Sequence, residues 1–283
     1  MNQKKSGSSM IKTTILNIVL VLCTVAIVIC GIKIVRSLND YSIAGEKNEE
    51  ISSGMADLIA GLNRTEAPSA GQNAGPNGTT RELREEYREI YEYLTGLKQQ
   101  YPDLYGWIYI EFDADHVINL PVMQSDDNNY YIDHAYDGTK SSSGAVFADY
   151  RNTDRKIDLN QNLVLYGHNM NNTSMFALVS TKYKQRENFD NIPITIYSLE
   201  GVYRFNVFSV YNGKAGENYD TVAFGQKNLK PFCEEMQARS FYSKSLTFSN
   251  DETVLTLVTC TNYASDGRVI VHGVLDNYES FYR

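Results

Sequence analysis

Residues 253–275 read TVLTLVTCTNYASDGRVIVHGVL. Two apolar, β-branched runs, 254–258 and 269–275, flank a polar loop that ends in Asp-Gly, and this pattern predicts two adjacent antiparallel strands. Cys260 follows the first run and Arg268 opens the second. If the runs pair across the loop, both side chains lie at the same end of a sheet, where a thiol nucleophile and a cationic group can face one substrate.

The rest of the chain beyond residue 105 also consists of short strand candidates separated by turn residues. Eight candidates occur at irregular spacing: 106–110, 117–122, 145–148, 163–166, 194–198, 203–211, 254–259 and 269–275. Eight strands with few helices predict a mainly β fold with accessory helices that closes, or nearly closes, into a barrel. One helix is predicted over residues 228–240, between the sixth and seventh strands. An amphipathic helix of about five turns is predicted over residues 81–100.

The N-terminal region differs in composition from the remainder. Residues 13–32 form an uncharged, mostly apolar run, which at about 1.5 Å per residue spans roughly the 30 Å of a bilayer core. Lysines before the run outnumber the basic residues just after it, so the positive-inside rule slightly favours a cytoplasmic N-terminus. A cleaved signal peptide is the alternative, but the run is longer than a usual signal-peptide core and no clear A-x-A site follows it. An uncleaved transmembrane anchor is therefore predicted within residues 1–36.

Residues 37–80 are predicted to link this anchor to the globular domain. The stretch 63–80, NRTEAPSAGQNAGPNGTT, is rich in small and turn-forming residues and has almost no large apolar side chains. It cannot bury a core, so it is expected to be a flexible tether. The catalytic domain is then predicted to cover residues 81–283 and to fold without the preceding residues.

The composition also limits the class of protein. Hydrophobic residues make up 42% of the chain and aromatic residues 12%, which is enough for one domain of about 200 residues with its own core. The net charge is −8 and the pI is about 5.1. A nucleic-acid partner is not expected, because neutralising phosphates requires clustered Lys and Arg, and no basic stripe occurs.

Three of the four histidines have ordinary structural explanations. His116 and His134 lie among aspartates and asparagines in DADHV and YIDHAYDG, which is typical of solvated loops. His272 lies four residues after Arg268 on the final strand and so on the same face. A core or rim position is the expected role of His272.

His168 is the candidate base. It follows the apolar run LVLY and one glycine, so it lies just past the end of a strand, the same local position that Cys260 occupies. Parallel packing of those two strands would bring the imidazole and the thiol together at one rim. Residues at strand ends on a rigid scaffold are common carriers of chemistry.

The remaining cysteines do not compete with Cys260 as a nucleophile. Cys23 and Cys30 fall in the apolar run, where a small apolar role is expected. Cys233 lies in the helix predicted over 228–240, and a Cys233–Cys260 disulfide is possible in an extracytoplasmic protein. A disulfide scaffold would use more than two cysteines, so a lone reactive thiol fits Cys260 better. No cysteine pair has metal-ligand spacing and no His-x-x-x-His occurs, so neither a metal nor a cofactor is predicted.

These residues resemble the motifs of sortases. TLVTC at residues 256–260 matches their TLxTC signature, Arg268 stands in the place of their essential arginine, and YGH at 166–168 stands in the place of their histidine motif. The similarity extends over most of residues 81–283. It includes the leading helix and the segments YPDLYGWIYI, DNNYYIDHAYDG and SGAVFADYRN, and it is greatest to class B sortases.

The resemblance implies an eight-stranded sortase-type barrel and a membrane-anchored cysteine transpeptidase of a Gram-positive bacterium. Such an enzyme cuts a sorting motif near the C-terminus of a secreted protein and joins the new carboxyl end to a cell-wall peptide amine, outside the cell. Cys260 would be the nucleophile, His168 the acid–base and Arg268 the oxyanion ligand. Tyr166 and Thr259 flank these residues and would contact the substrate.

Alternatives remain open at the level of sequence. A cysteine peptidase or amidase acting on wall or surface peptides would use the same Cys260 and His168 but release an acid. A tethered binding module would leave the thiol unreactive. Arg268 could instead hold the strand end through a salt bridge, for example to Asp149 or Asp266. Neither the sorting motif nor the acceptor, a wall peptide or a protein lysine, can be read from the sequence.

Overall fold

The computed structural model describes residues 4–64, 81–153, 157, 161–225, 228–261 and 266–283. Its α-helices are α1 (Lys4–Arg64), α2 (Arg88–Gln100), α3 (Ala177–Lys182), α4 (Arg186–Asn191) and α5 (Leu229–Arg239). Its strands are β1 (Leu104–Asp113), β2 (His116–Met123), β3 (Val146–Ala148), β4 (Asn162–Tyr166), β5 (Ile194–Tyr197), β6 (Gly201–Lys214), β7 (Val254–Cys260) and β8 (Gly267–Ser280). Short 3₁₀ helices lie at Glu85–Tyr87 and Tyr130–Ile132.

The strands form one closed barrel in the order β1–β2–β3–β4–β7–β8–β6–β5, and β5 pairs with β1. The eight predicted strands and the barrel are thus confirmed. β7 and β8 pair antiparallel, as the two apolar runs predicted. β4 and β7 pair in parallel, with Tyr166 opposite Val258. The C-terminal ends of β4 and β7 therefore meet at the same rim of the barrel.

The two faces of the β7–β8 pair are both covered, which explains why β7 reads as a continuous apolar run. Alternate side chains face the large core inside the barrel: Leu255, Leu257, Val269 and Val271. Val258 and Ile270 face the other side, in a cluster with residues of α5. Burying one such aliphatic side chain stabilises the fold by about 2 kcal/mol.

The helix α5 packs on the outer face of the barrel and confirms the helix predicted between the sixth and seventh strands. Its buried side chains are Leu229, Phe232, Cys233 and Met236. Burial raises the pKa of Cys233 to about 12, so this thiol stays protonated at neutral pH. Cys233 and Cys260 are both free, and the alternative of a disulfide between them is therefore wrong.

The amphipathic helix α2 starts later than the sequence predicts. Leu83 forms a β-bridge with Tyr282, and the backbone N–H of Arg84 donates to the carbonyl oxygen of Phe281 at 2.8 Å. This pairing with the C-terminus holds the residues before the 3₁₀ helix in an extended conformation. The predicted helix start at residue 81 is wrong because a long-range contact outweighs the local periodicity.

One compact unit of the chain covers Gly45–Arg283, whereas the sequence predicts that the globular domain begins at residue 81. The last turns of α1 belong to this unit. Three apolar side chains of these turns recur every four residues and so lie on one face of the helix: Ile51, Met55 and Ile59. They are buried in a cluster that also contains Trp107. Residues 65–80, most of the predicted tether, lie outside the described residues.

The other unit, Met1–Ala44, contains an apolar helical segment. Thr14–Val35 has 22 residues with a mean hydropathy of 2.9, and none of it is buried. Its length and composition are sufficient to cross a bilayer. It coincides with the apolar run predicted to be the anchor.

Candidate active site

Cys260 and Arg268 form the last cross-strand pair of β7 and β8. Opposed residues of an antiparallel pair point to the same face, with Cβ atoms about 4.5–5.5 Å apart. Cys260 lies two residues beyond Val258, and Arg268 lies two residues before Ile270, so both share the outer face. Both side chains are half-buried at the rim. The prediction that the thiol and the guanidinium lie at one end of the sheet is confirmed.

His168 lies beside Cys260 because β4 and β7 are parallel neighbours. Just past β4, the backbone N–H of Gly167 donates to the carbonyl oxygen of Val258 at 3.2 Å. The side-chain amide of Asn169 then donates to the carbonyl oxygen of Cys260 at 2.9 Å. Two hydrogen bonds therefore join the two strand ends, and the predicted parallel packing is confirmed.

The His168 ring is held by a third segment of the chain. The ring is half-buried, and its Nε2 lies 2.7 Å from the carbonyl oxygen of Ile132. A carbonyl oxygen only accepts hydrogen bonds, so Nε2 carries the proton in this arrangement. Ile132 belongs to the 3₁₀ helix between β2 and β3.

The Arg268 guanidinium has donors that can bind an anion. Its Nη1 donates to the carbonyl oxygen of Gly267 at 2.9 Å. Among the residues that the structure describes, no carboxylate forms an ion pair with Arg268, and Asp149 is paired with Arg151 instead. Burial raises the pKa of Tyr219, and the nearby positive charge of Arg268 opposes part of this rise. A guanidinium in this setting can form charge-assisted hydrogen bonds to a developing oxyanion.

Tyr166 is tied into a charged network beside the same strand end. Its hydroxyl donates to Asp149 Oδ2 at 2.9 Å, and Asp149 is fully buried. Arg151 pairs with Asp149 at 2.7 Å and with Asp220 at 3.1 Å. Burial alone would raise the pKa of Asp149, but hydrogen bonds from Arg151 and its other neighbours hold that pKa below the usual value. The network fixes the loop between β6 and α5 against the end of β4.

Comparisons with known proteins show the family. A family model of the sortase domain matches residues 115–276, more than half of the chain. The chain belongs to the sortase family. Sortase B of Listeria monocytogenes serovar 1/2a (strain ATCC BAA-679 / EGD-e) is 31% identical to this sortase over 192 residues, which are 66% of this chain and 75% of that protein.

Solved structures indicate the class. A mutant form of Clostridium perfringens sortase B has a TM-score of 0.62 and 29% identity to this sortase, and the match covers 68% of this chain and 90% of that one. A Staphylococcus aureus sortase B–substrate complex has a TM-score of 0.66 and covers 85% of this chain and 99% of that one. At 21% identity, that second likeness is one of fold. The sortase described here is a cysteine transpeptidase most similar to class B.

The two residues predicted to contact the sortase substrate lie on different faces. Tyr166 shares the outer face with Cys260, because it follows the outer-facing Val164 by two residues. Thr259 is buried and faces the interior of the barrel. Its Oγ1 has no hydrogen-bond partner among the described residues. The structure therefore brings Tyr166, but not Thr259, to the side of the thiol.

The other histidines of the sortase have structural surroundings. His272 is fully buried and bonds through Nδ1 to Thr256 Oγ1 at 2.8 Å. Burial lowers the pKa of His272 to about 3, and its predicted core role is confirmed. His116 lies 2.5 Å from a carboxylate oxygen of Asp113. His134 is partly exposed and stacks on a neighbouring tyrosine.

Two contributors to the sortase site are absent from the sequence prediction. Asn169 directly follows the YGH motif, and this adjacency is a signal that could have identified it. Ile132 lies 36 residues before His168 and acts through its backbone carbonyl. No residue-type pattern marks such a group.

Proposed function

We propose that this sortase is anchored in the cell membrane and, on the outer side, cuts a C-terminal sorting motif of secreted proteins and joins them to a peptide amine of the cell wall. Cys260 is the nucleophile, His168 transfers protons and Arg268 binds the oxyanion. The observation that supports this most strongly is the pairing of Cys260 with Arg268 next to the strand end that carries His168. A nucleophile, a base and an anion-binding group thus share one rim.

In the first half-reaction the Cys260 thiolate attacks the carbonyl carbon of the scissile peptide bond and forms a C–S bond. The carbonyl oxygen becomes an anion, and the Arg268 donors stabilise it; one such donor is typically worth roughly 2.7–4 kcal/mol. The C–N bond then breaks, and His168 gives a proton to the leaving amine. The product is a thioester between the secreted protein and Cys260.

In the second half-reaction the amine of a wall peptide attacks the thioester carbonyl. Neutral His168 accepts a proton from that amine, the C–S bond breaks, and a new amide bond forms. The thiolate is regenerated. Water in place of the amine would give a free acid, so the choice of nucleophile separates a transpeptidase from a peptidase.

The membrane position in this proposal depends on the apolar segment Thr14–Val35. Three lysines precede it within the first 12 residues, whereas Lys33 lies in its last turn and Arg36 directly follows it. The positive-inside rule slightly favours a cytoplasmic N-terminus, which corresponds to a barrel on the outer side. Tyr166, at the rim and on the face of Cys260, is the proposed substrate contact.

Product analysis of the full-length chain in detergent tests the proposal. A library of candidate sorting peptides is incubated with increasing hydroxylamine, and the products are identified by mass spectrometry. Transpeptidation predicts a hydroxamate that grows at the expense of the acid. Acid alone at every amine concentration would indicate a peptidase or amidase, and no cleavage together with a thiol that resists alkylation would indicate a binding module.

The proton-transfer role is tested by matched histidine variants in the same assay. His168→Ala is expected to lower the rate of peptide cleavage by about 10²- to 10⁴-fold. His116→Ala and His134→Ala are expected to stay near the wild-type rate. The reverse order would contradict the assignment of His168.

A further inference from the structure

The backbone of His168 is fixed from two sides, so only its side-chain torsions remain to be set. The neighbouring N–H of Gly167 donates to Val258 in β7. The carbonyl oxygen of His168 accepts a hydrogen bond from the N–H of Phe176 at 2.8 Å. Within the described part of the chain, one hydrogen bond holds the ring, from Nε2 to the carbonyl oxygen of Ile132 at 2.7 Å.

The position of the Ile132 carbonyl depends on Gly144. Gly144 has φ +57°, in the left-handed region that favours glycine. A Cβ added at Gly144 would lie 2.6 Å from the oxygen of Ile132 and 2.5 Å from the oxygen of Tyr131. These neighbours are backbone atoms, so any side chain at residue 144 would push the Ile132 carbonyl away.

Further contacts keep the loop of residues 130–144 in place. The N–H of Ala145 donates to the carbonyl oxygen of Tyr131 at 3.0 Å, and the Tyr131 hydroxyl donates to Asp103 at 2.9 Å. Lys47 of α1 bonds to Asp137 at 2.5 Å. The Ile132 carbonyl that accepts the hydrogen bond from His168 therefore belongs to a loop that is fixed by contacts at several points.

We propose that Ile132 and Gly144 are positioning residues for His168. Because Gly144 has no side chain, the Ile132 carbonyl can lie where it accepts a hydrogen bond from Nε2. This bond keeps the proton on Nε2 and leaves Nδ1 as the nitrogen that exchanges a proton with substrate. A neutral imidazole has one N–H, and the hydrogen bond that this N–H makes decides which nitrogen is basic. When Nδ1 accepts a proton, the Nε2–H bond to the carbonyl becomes charge-assisted and stronger. This inference rests on the proposed acid–base role of His168.

The first test is the tautomer of His168 in the wild-type chain. The full-length protein in detergent is labelled with ¹⁵N in its four histidine rings, and the His168 signals are identified by their loss in His168→Gln. The expected long-range ¹H–¹⁵N spectrum shows the neutral ring protonated at Nε2. A neutral ring protonated at Nδ1 would overturn the inference. This spectrum is measured without substrate, so its result does not depend on whether the proposed function is correct.

The second test compares Gly144→Ala with Gly138→Ala. Gly138 lies in the same loop with φ +77°, but a Cβ there meets only the hydroxyl of Tyr130, at 3.3 Å. Gly138→Ala therefore controls for backbone strain without pressing on Ile132. Gly144→Ala is expected to weaken the hydrogen bond at Nε2 and with it the preference for that tautomer, and to lower kcat by about 10- to 100-fold, part of the usual gain from proton transfer, with KM little changed.

A folded Gly144→Ala chain that keeps both the wild-type tautomer and the wild-type kcat would overturn the role of Gly144. Equal losses of kcat in both variants would also overturn it, because strain alone would then explain the effect. Thermal melts identify whether each variant folds. If Gly144→Ala does not fold, the wild-type spectrum decides between the two tautomers.

Discussion

The side-chain amide of Asn169 donates to the carbonyl oxygen of Cys260 at 2.9 Å. This bond connects the residue after the candidate base to the candidate nucleophile itself. It joins the ends of two parallel strands through two residues that are 91 positions apart in sequence. The relative position of imidazole and thiol therefore depends on a side chain that takes no part in the chemistry.

Asn169→Ala tests this connection. Loss of one hydrogen bond should lower the free energy of unfolding by about 1 kcal/mol. The acylation rate should fall by about tenfold, because small misplacements of reacting groups are costly. Single-turnover acylation and urea denaturation measure the two effects. Asn171→Ala, in the exposed part of the same loop, is the control, and an unchanged acylation rate in Asn169→Ala would show that the bond has no role in positioning.

Arg268→Lys distinguishes an oxyanion ligand from a structural cation. Lysine offers a point charge on a differently shaped stem and cannot reproduce the planar fork of arginine. We expect an unchanged melting temperature and an acylation rate lowered by at least about 50-fold, the loss of most of one oxyanion donor. Arg88→Lys, which alters an exposed ion pair with Glu85, is the matched control. A rate for Arg268→Lys within threefold of wild type would end the oxyanion assignment.

The buried His272 predicts a specific pH dependence of stability. Burial lowers its pKa to about 3, whereas in the unfolded chain it titrates near 6.5. Between these values the unfolded state binds the extra proton, so stability is full above about pH 6.5 and falls as the pH drops, by at most about 1.4 kcal/mol per pH unit from this group. Urea denaturation of wild type and His272→Gln between pH 4 and 7 measures the difference in slope. Identical slopes would show that His272 does not contribute.

Removal of the last turns of α1 should destabilise the barrel. Met55 and Ile59 are almost fully buried, and the loss of these contacts with that of Ile51 removes on the order of 5 kcal/mol. A chain of residues 81–283 should therefore unfold at a lower urea concentration than residues 45–283. Trp107, the single tryptophan and fully buried, reports the exposure by its fluorescence. Equal midpoints for the two chains would contradict this prediction and support a domain boundary at residue 81.

The parts of the fold that follow from local pattern are predictable from the sequence. Apolar, β-branched runs between turn residues predict all eight strands, and the TLVTC and YGH motifs identify Cys260 and His168 as candidates that each lie at the end of a strand. The end of the first apolar run and the Asp-Gly turn are sufficient to pair Cys260 with Arg268. These features depend on residues close together in the chain or on a simple register.

The features that the sequence does not predict depend on long-range contacts. The apolar face of α1 that contains Ile51, Met55 and Ile59 is narrow and lies among serine, glycine and charged residues. This composition is typical of a linker, and only the fold shows that the face is buried in a cluster with Trp107. The start of α2 is displaced because Leu83 pairs with the far C-terminus. Ile132 contacts His168 through its backbone carbonyl oxygen, so the type of residue at position 132 does not predict this hydrogen bond.

The most direct test of the account is the fate of Cys260 during a single turnover. A cleavable sorting peptide is mixed with the full-length sortase, the reaction is stopped in acid, and the intact mass and a peptide map are measured. We expect the acyl fragment on Cys260 in the wild type and in Cys233→Ala, its transfer to an added amine, and neither cleavage nor adduct in Cys260→Ala. Cleavage that persists in Cys260→Ala, or an acyl group mapped to any other residue, would contradict the central claim.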